Sequence, residues 1–381
     1  MKVGVVKEKN SLETRVAISP VTAKQLADLG LQVTMQSKAG EKSSFTDEMY
    51  NQAGVTLIDD AAKILKSSDI ILKVGAPTVA EIGQMKKGAV VIGMLATTKN
   101  PENSVKKYAS SKVSAIAMEL IPRISRAQNM DVLSSQSNLA GYKAVIDGVA
   151  AYGKVIPMMV TAAGTIKPAK ILILGAGVAG LQAIATAKRL GAIVSVFDVR
   201  PEVEEQVNSL GANFIKVMDV EQESAQGAGG YAKEMSAEYK KKQSALIAEH
   251  VKLNDIIVTT ALIPGKPAPT LITDKMLKSM KANSIIVDLA AANGGNCSGT
   301  QVNKVVVKHG TTIIGHENLA CSLASDASML YAQNLFHLTK SIINTKLKRV
   351  KINFEDEIIQ ASLLTHDGKI VHPLFKKDKQ G

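Results

Sequence analysis

Short apolar runs alternate with amphipathic stretches through the first 120 residues. Val3–Val6, Leu31–Met35, Ile70–Val74, Val90–Met94 and Ser114–Met118 read as buried strands, because each is brief and apolar without a helical period. The segments between them carry helix signals. Ser19 is placed to cap a helix that Pro20 opens and Gly30 stops. Thr46 caps a shorter one ending near Gly54, and Asn100-Pro101 begins another. Strands interleaved with helices imply a parallel sheet covered on both faces. No strand in this half runs into a glycine-rich turn, so the half is a nucleotide-fold lookalike without a phosphate loop.

A polar loop, Pro122–Asp131, precedes a long helical pattern from Ser134 to Lys154 whose position suits a connecting helix. After Pro168, strands are expected at Ile171, Ile193, Phe214, Ile256 and Ile285. The first of these, Ile171–Leu174, leads directly into Gly175, Gly177 and Gly180 and then an alanine-rich helix. In that context the spacing G-x-G-x-x-G has a physical meaning: a sharp turn, room for a pyrophosphate, and close packing of helix on strand. The helix N-terminus then faces the anion. Asp198 ends the next strand, 18 residues past Gly180 (198 − 180). A carboxylate there accepts ribose hydroxyls and repels a 2′-phosphate, which selects NAD(H) over NADP(H). Between Asp219 and Lys252 lies an insertion in which Gly227–Gly230 and Tyr231 read as a lid, and Lys240–Gln243 as a solvated helix face. Val305–Val307 and Thr312–Ile314 close this half, a helical pattern from Ala324 to Ile343 returns, and Asp367-Gly368 signals a final hairpin. The expected fold is α/β, with two Rossmann-like domains built on parallel sheets, the second binding NAD(H), and a cleft between them. Residues 1–133 with 317–381 form the discontinuous domain and 134–316 the Rossmann domain.

Composition narrows the function classes. The 381 residues are 46% hydrophobic, 21% charged and only 3% aromatic, with no tryptophan and a net charge of +12. The lysines are scattered and no aromatic platform accompanies them, so nucleic acid is not expected as a partner. The excess charge reads as a solvated basic surface, or a face that docks on an acidic partner or anionic lipid. Two cysteines, Cys297 and Cys321, fit a reducing compartment and small buried roles. The N-terminus reads as a strand rather than a signal peptide, and Ile171–Ala187, the least charged long window, is too short to span a bilayer. Neither H-x-x-H spacing nor a Cys/His cluster occurs, so no metal site is expected.

The side chains leave the reaction open. Arg15 and Lys73 are a pair that a substrate carboxylate would use, or simple surface salt bridges. None of the six histidines follows a strand of the first half, and His316 has no evident carboxylate partner. Arg123, Gln128, Asp131 and Ser134 cluster before the connecting helix, where Asp131 or Ser134 would also serve as its N-cap.

The stretch Arg123–Lys143 is similar to the signature of the NAD(H)-binding component of proton-translocating transhydrogenase. The likeness continues through Met158–Gly164, Gly175–Leu190, Gly229–Met235, Thr259–Pro269 and Asp326–Ser328. It spans the chain, and alanine dehydrogenase is the sister family. The resemblance implies Re/Si-specific hydride transfer from NADH on this chain to NADP(H) on a partner subunit, coupled to proton translocation by a membrane-spanning subunit. It implies cofactor contacts from Gly175, Gly177, Val178, Ala179, Gly180, Asp198, Val199, Arg200, Ala261 and the mobile Tyr231. Arg123, Gln128, Asp131 and Ser134 would surround the nicotinamide, with Gln128 reaching toward NADP(H). The chain, ending at Gly381 without hydrophobic spans, resembles the version that is a separate peripheral subunit, dimeric, cytoplasmic and held at the inner membrane through its partners. Alanine dehydrogenases carry a histidine near the position of Met94 and an aspartate near Ala292; both are apolar here, and transhydrogenases often have glutamate at the latter. A soluble alanine- or lysine-forming dehydrogenase would therefore lack its proton donor. A non-catalytic NAD(H)-binding regulator is the third class.

Overall fold

The computed structural model describes residues 1–96, 101–217, 236–263 and 266–376. Two compact units divide the chain, Met1–Gln136 with Leu323–Gly381, and Ser137–Ser322. The first division falls inside the helix Val132–Ala151. Val132 still belongs to the core of the first unit and Leu319 to that of the second, which places the crossings at 136/137 and 322/323 rather than at 133/134 and 316/317.

In the first unit, β1 (Lys2–Val5), β2 (Gln32–Gln36), β3 (Thr56–Ile58), β4 (Ile70–Gly75), β5 (Val90–Met94) and β6 (Ser114–Ala117) form a parallel sheet ordered β3-β2-β1-β4-β5-β6. The order reverses at β1, as in doubly wound folds. Ile71, Leu72, Val91, Ile92 and Ile116 are fully buried, which explains why the strands read as unbroken apolar runs: both sheet faces are covered. The helix Pro20–Asp28 starts where its cap predicts, with Ser19 Oγ accepting from the Thr22 N–H and Thr22 Oγ1 accepting from the Ser19 N–H. β3, only three residues long, carries too little pattern to be read in advance.

The second unit opens with an exposed two-stranded hairpin, β7 (Met159–Thr161) and β8 (Gly164–Ile166). Its sheet follows: β9 (Lys170–Leu174), β10 (Ile193–Phe197), β11 (Asn213–Ile215), β12 (Ile256–Thr259), β13 (Ile285–Asp288), β14 (Val305–Lys308) and β15 (Thr311–Ile314). The order is β11-β10-β9-β12-β13-β15-β14, parallel except that β14 lies antiparallel at the edge. Successive strands leave β9 on one side toward β10 and return on its other side at β12. A ligand site is therefore expected outside the carboxyl ends of β9 and β12. Those ends are level, with Leu174 paired to both Phe197 and Thr259, and Thr259 to Asp288.

The chain then returns to the first unit. Helix Ala324–Ser341 contributes Tyr331, Leu335 and Leu338 to its core, and β16 (Ile343–Asn344) and β17 (Arg349–Val350) form a small ribbon. β18 (Leu363–His366) adds to β6 antiparallel, and β19 (Lys369–Ile370) closes the expected Asp-Gly hairpin. Both sheets are thus parallel-rich with antiparallel edges, where the sequence suggested purely parallel ones. Among the described residues, no helix is long and apolar enough to cross a membrane, and no group of three His, Cys, Asp or Glu side chains is placed to hold a metal ion.

Candidate functional site

The three glycines after β9 are required for three different reasons. Gly175 has φ +111°, and a Cβ on it would lie 2.3 Å from Thr260 Oγ1. At Gly180 a Cβ would lie 1.9 Å from the Gly175 carbonyl oxygen, so helix Val178–Arg189 presses on the turn. Gly177, by contrast, has an ordinary backbone, and its Cβ would meet nothing within 4 Å. Fold geometry explains the first and third glycines; open space at the second is what an approaching ligand needs. The helix begins at Val178 with no side chain capping it, leaving its first N–H groups for an anion. Val178 and Ala179 are half-buried. One further close approach leaves no mark in the sequence: a Cβ on Gly141, in the connecting helix, would lie 2.0 Å from the Ala179 carbonyl oxygen.

Asp198 follows β10 and faces the turn. Its Oδ2 accepts from the Ala176 N–H at 2.7 Å and its Oδ1 from the Arg200 N–H at 2.9 Å. Arg200 Nε and Nη2 donate to Oδ1 and Oδ2, each at 2.9 Å. A carboxylate has about four lone-pair sites. Two are held by backbone and two by a side chain that can swing away, and those two match a pair of ribose hydroxyls. The hydrogen bond to Asp198 lifts the Arg200 pKa further. Val199, beside them, packs its side chain on the core.

Thr260 and Ala261 follow β12. The Thr260 hydroxyl donates to the Gly175 carbonyl at 3.1 Å, tying the two strand ends together. Ala261 is gripped by Asn296: its N–H donates to Asn296 Oδ1 at 3.0 Å, and its carbonyl accepts from Asn296 Nδ2 at 2.9 Å. Gly175, Gly177, Val178, Ala179, Gly180, Asp198, Val199, Arg200 and Ala261 thus sit along one edge of one sheet. Tyr231 and the glycine cluster before it lie outside the described residues.

In the first unit, the loop before the connecting helix is a 3₁₀ turn, Ser125–Met130. Asp131 stands at the N-cap position of the following helix; its Oδ1 accepts from the Ser134 N–H at 2.9 Å and its Oδ2 from the Ser134 hydroxyl at 2.5 Å. Arg123 and Gln128 are on the same loop, Arg123 half-buried and Gln128 exposed. Beneath it, buried Asn334 donates to the Asn129 carbonyl and accepts from the Ser135 hydroxyl, both at 2.8 Å. Outside it, Arg126 makes a forked pair with Asp356. Neither brace is legible in the sequence.

Comparison with known proteins gives the lineage. Residues 4–140 match the family described as Alanine dehydrogenase/PNT, N-terminal domain, and residues 144–373 match Alanine dehydrogenase/PNT, C-terminal domain. This chain belongs to the alanine dehydrogenase/PNT family. The first of the separately encoded portions of NAD(P) transhydrogenase subunit alpha from Rhodospirillum rubrum is 49% identical over 379 residues, covering 98% of both chains. The protein of the same name from Rickettsia prowazekii is 46% identical over 384 residues, 99% of this chain and 98% of that one. The crystal structure of transhydrogenase from Sinorhizobium meliloti aligns with a TM-score of 0.85 at 44% identity, over 98% of this chain and all of that one. An L-alanine dehydrogenase structure aligns at 0.80 with 25% identity, over 98% of each.

Within that family, the positions that would serve keto-acid chemistry are inert here. Met94, at the end of β5, packs partly against the core, and Ala292 presents an exposed methyl. Arg15 and Lys73 are not surface salt bridges, as one reading of the sequence has them. Arg15 is buried, forked onto Glu13 through Nε and Nη2, and donates Nη1 to Gln136 Oε1 at 2.8 Å. Lys73 is 1% exposed and pairs with Glu8 at 3.1 Å. Burial pushes the Glu8 carboxyl above its ordinary range, with Lys73 pulling the other way. Both cations are thus matched by carboxylates of the same unit. Cys297 is buried, its thiol pushed up to about 11 chiefly by burial, whereas Cys321 is half-buried.

Proposed function

We propose that this chain is the NAD(H)-binding peripheral component of a proton-translocating transhydrogenase. The observation that carries the reading is the open cradle at Gly177, flanked by two glycines the fold itself requires, with Asp198 on the neighbouring strand end. The likeness to transhydrogenase alpha-subunit proteins over nearly the whole chain supports it. Gly175–Gly180 would take the pyrophosphate on the free N–H groups of the helix start. Asp198, with Val199 and Arg200 beside it, would hold the adenosine ribose, and Ala261 and Tyr231 would border the rest of the cofactor. Arg123, Gln128, Asp131 and Ser134 would serve the nicotinamide end. When bound, the dihydronicotinamide supplies the hydride. A hydride passing between two nicotinamides needs placement and dryness but no protein acid or base. Apolar residues at 94 and 292 are consistent with that requirement, and internal counterions on Arg15 and Lys73 leave no obvious grip for a keto acid. NADP(H) would be held by a partner subunit, and proton movement would belong to a membrane-spanning one. The chain would act as a homodimer on the cytoplasmic face of the inner membrane.

The test is reconstitution. Purified chain is expected to bind NADH without consuming it, and to form NADPH from NADH only after addition of membranes containing the partner components, with a rate that responds to a proton gradient. Reduction of pyruvate with ammonia by the isolated chain at enzyme-like rates would overturn the reading.

A further inference from the structure

Asn296 makes more hydrogen bonds than its place in a short glycine turn would suggest. It is fully buried. Its Oδ1 accepts from the Ala261 N–H, and its Nδ2 donates to the carbonyls of Ala261 and Pro269, at 2.9 and 2.8 Å. Its own carbonyl accepts from the N–H groups of Leu271 and Ile272. The segment after β12 is therefore pinned at both ends by one residue. Asn296 is itself held from below, because its N–H donates to Asp288 Oδ2 at 2.8 Å. Asp288 is fully buried at the end of β13 and accepts from Thr259, Ala290, Asn296, Cys297 and Thr300. A buried carboxylate held by five donors, none of them a cation, is satisfied by geometry, so the groups around it cannot shift without stranding it. Gly295 completes the wrap with φ +83°, and a Cβ there would lie 2.8 Å from Asp288 Oδ2.

The direction of a bound dinucleotide follows from the sheet order. Asp198 stands at the end of β10 and the glycine turn at the end of β9, so the half of the ligand beyond the pyrophosphate must extend over β12 and β13. That is where Ala261 and the Asn296 turn lie. The structure assigns Asn296 as a positioning residue that presets the wall of the nicotinamide half while touching no part of the adenosine half. This assignment rests on the NAD(H) reading above and deepens it.

Two ligands separate the roles. Asn296→Asp keeps the size and the acceptor for the Ala261 N–H but turns an oxygen toward the Ala261 and Pro269 carbonyls; Asn296→Ala removes all three side-chain bonds. Affinities for NADH and for ADP-ribose, which lacks the nicotinamide, are measured on folded variant and wild type. The expected result is NADH affinity down roughly tenfold, the worth of about one hydrogen bond in placement, with ADP-ribose unchanged within about twofold. Equal losses for both ligands, or none for either, would overturn the assignment. Wild-type protein supplies a measurement that depends on no variant. In amide hydrogen exchange, the Ala261 N–H should be protected before any NADH is added, because Asn296 already holds it. Free exchange that slows only on adding NADH would refute a preset wall. Failure of wild type to bind either ligand would instead overturn the NAD(H) reading itself.

Discussion

Alanine at Gly177 and alanine at Gly180 should fail in opposite ways. At Gly180 the added methyl carbon would sit 1.9 Å from the Gly175 carbonyl oxygen, an atom of a backbone that cannot move aside. Overpacking of this kind costs about 3 kcal/mol, the upper part of its usual range. For the 186-residue second unit (322 − 137 + 1), each kcal/mol moves Tm by about 2–4 °C, so a drop of about 6–12 °C is expected. At Gly177 the backbone, φ −77° and ψ −167°, suits alanine, and the methyl meets no protein atom. Its stability should stay within about 0.5 kcal/mol of wild type. The methyl would, however, occupy the space a pyrophosphate needs. Losing one charge-assisted hydrogen bond there costs about 1.5–3 kcal/mol, or roughly 10- to 150-fold in affinity. Thermal unfolding reports the first effect, and titration of the cofactor's own fluorescence reports the second, the chain having no tryptophan to interfere. The reasoning is refuted if G177A binds NADH like wild type, or if it loses as much Tm as G180A.

Three further outcomes are expected. Asp198→Ala should weaken NADH by about 1.5–3 kcal/mol in calorimetric titration; unchanged affinity would mean the ribose does not use this carboxylate. Gln128→Asn should leave NADH affinity near wild type but cut hydride transfer in the reconstituted system by about 10²-fold, the scale of a misplacement near 1 Å; an unchanged rate would remove Gln128 from the nicotinamide end. Asp356 is held below the ordinary aspartate range chiefly by its hydrogen bond to Arg126. The folded chain therefore binds fewer protons there than the unfolded one, so the contribution is full above about pH 4 and disappears as pH falls through the folded value. Asp356→Asn, which can still cap its helix, should flatten the fall of Tm between about pH 5 and 3, and an identical acid slope would count against the pair.

The strands were legible because burial on both faces forces unbroken apolar runs, and the phosphate turn because it needs glycine at fixed places. Gly175 and Gly180 are explained by clashes visible only in three dimensions, yet their spacing encoded them. Other features escaped for physical reasons. β18 joins β6 from more than 240 residues away (363 − 117), and pairing at that separation leaves no local trace. The hairpin β7–β8 is fully exposed, so no hydrophobic period marks it. Arg15 and Lys73 read as substrate or surface cations because a sequence does not show that Glu13 and Glu8 fold back onto them.

The least legible residues are also those on which placement depends most. Each unit carries its site segment over a buried asparagine, Asn296 under Ala261 in one and Asn334 under Asn129 and Ser135 in the other. In sequence, an asparagine beside glycines or on an exposed-looking helix reads as surface. Buried, its amide offers two donors and an acceptor in one plane, enough to fix a peptide unit in both position and orientation. A reaction without an acid or base has no charged group whose loss would stop it, so its rate rests on distance. Loops alone hold distance poorly; loops pinned from beneath by satisfied, buried amides hold it well, because every shift strands a buried polar atom at about 1–3 kcal/mol. On this argument, a change that loosens a buried asparagine should lower hydride transfer more than it lowers cofactor affinity, whereas a change at the glycine turn or Asp198 should do the reverse.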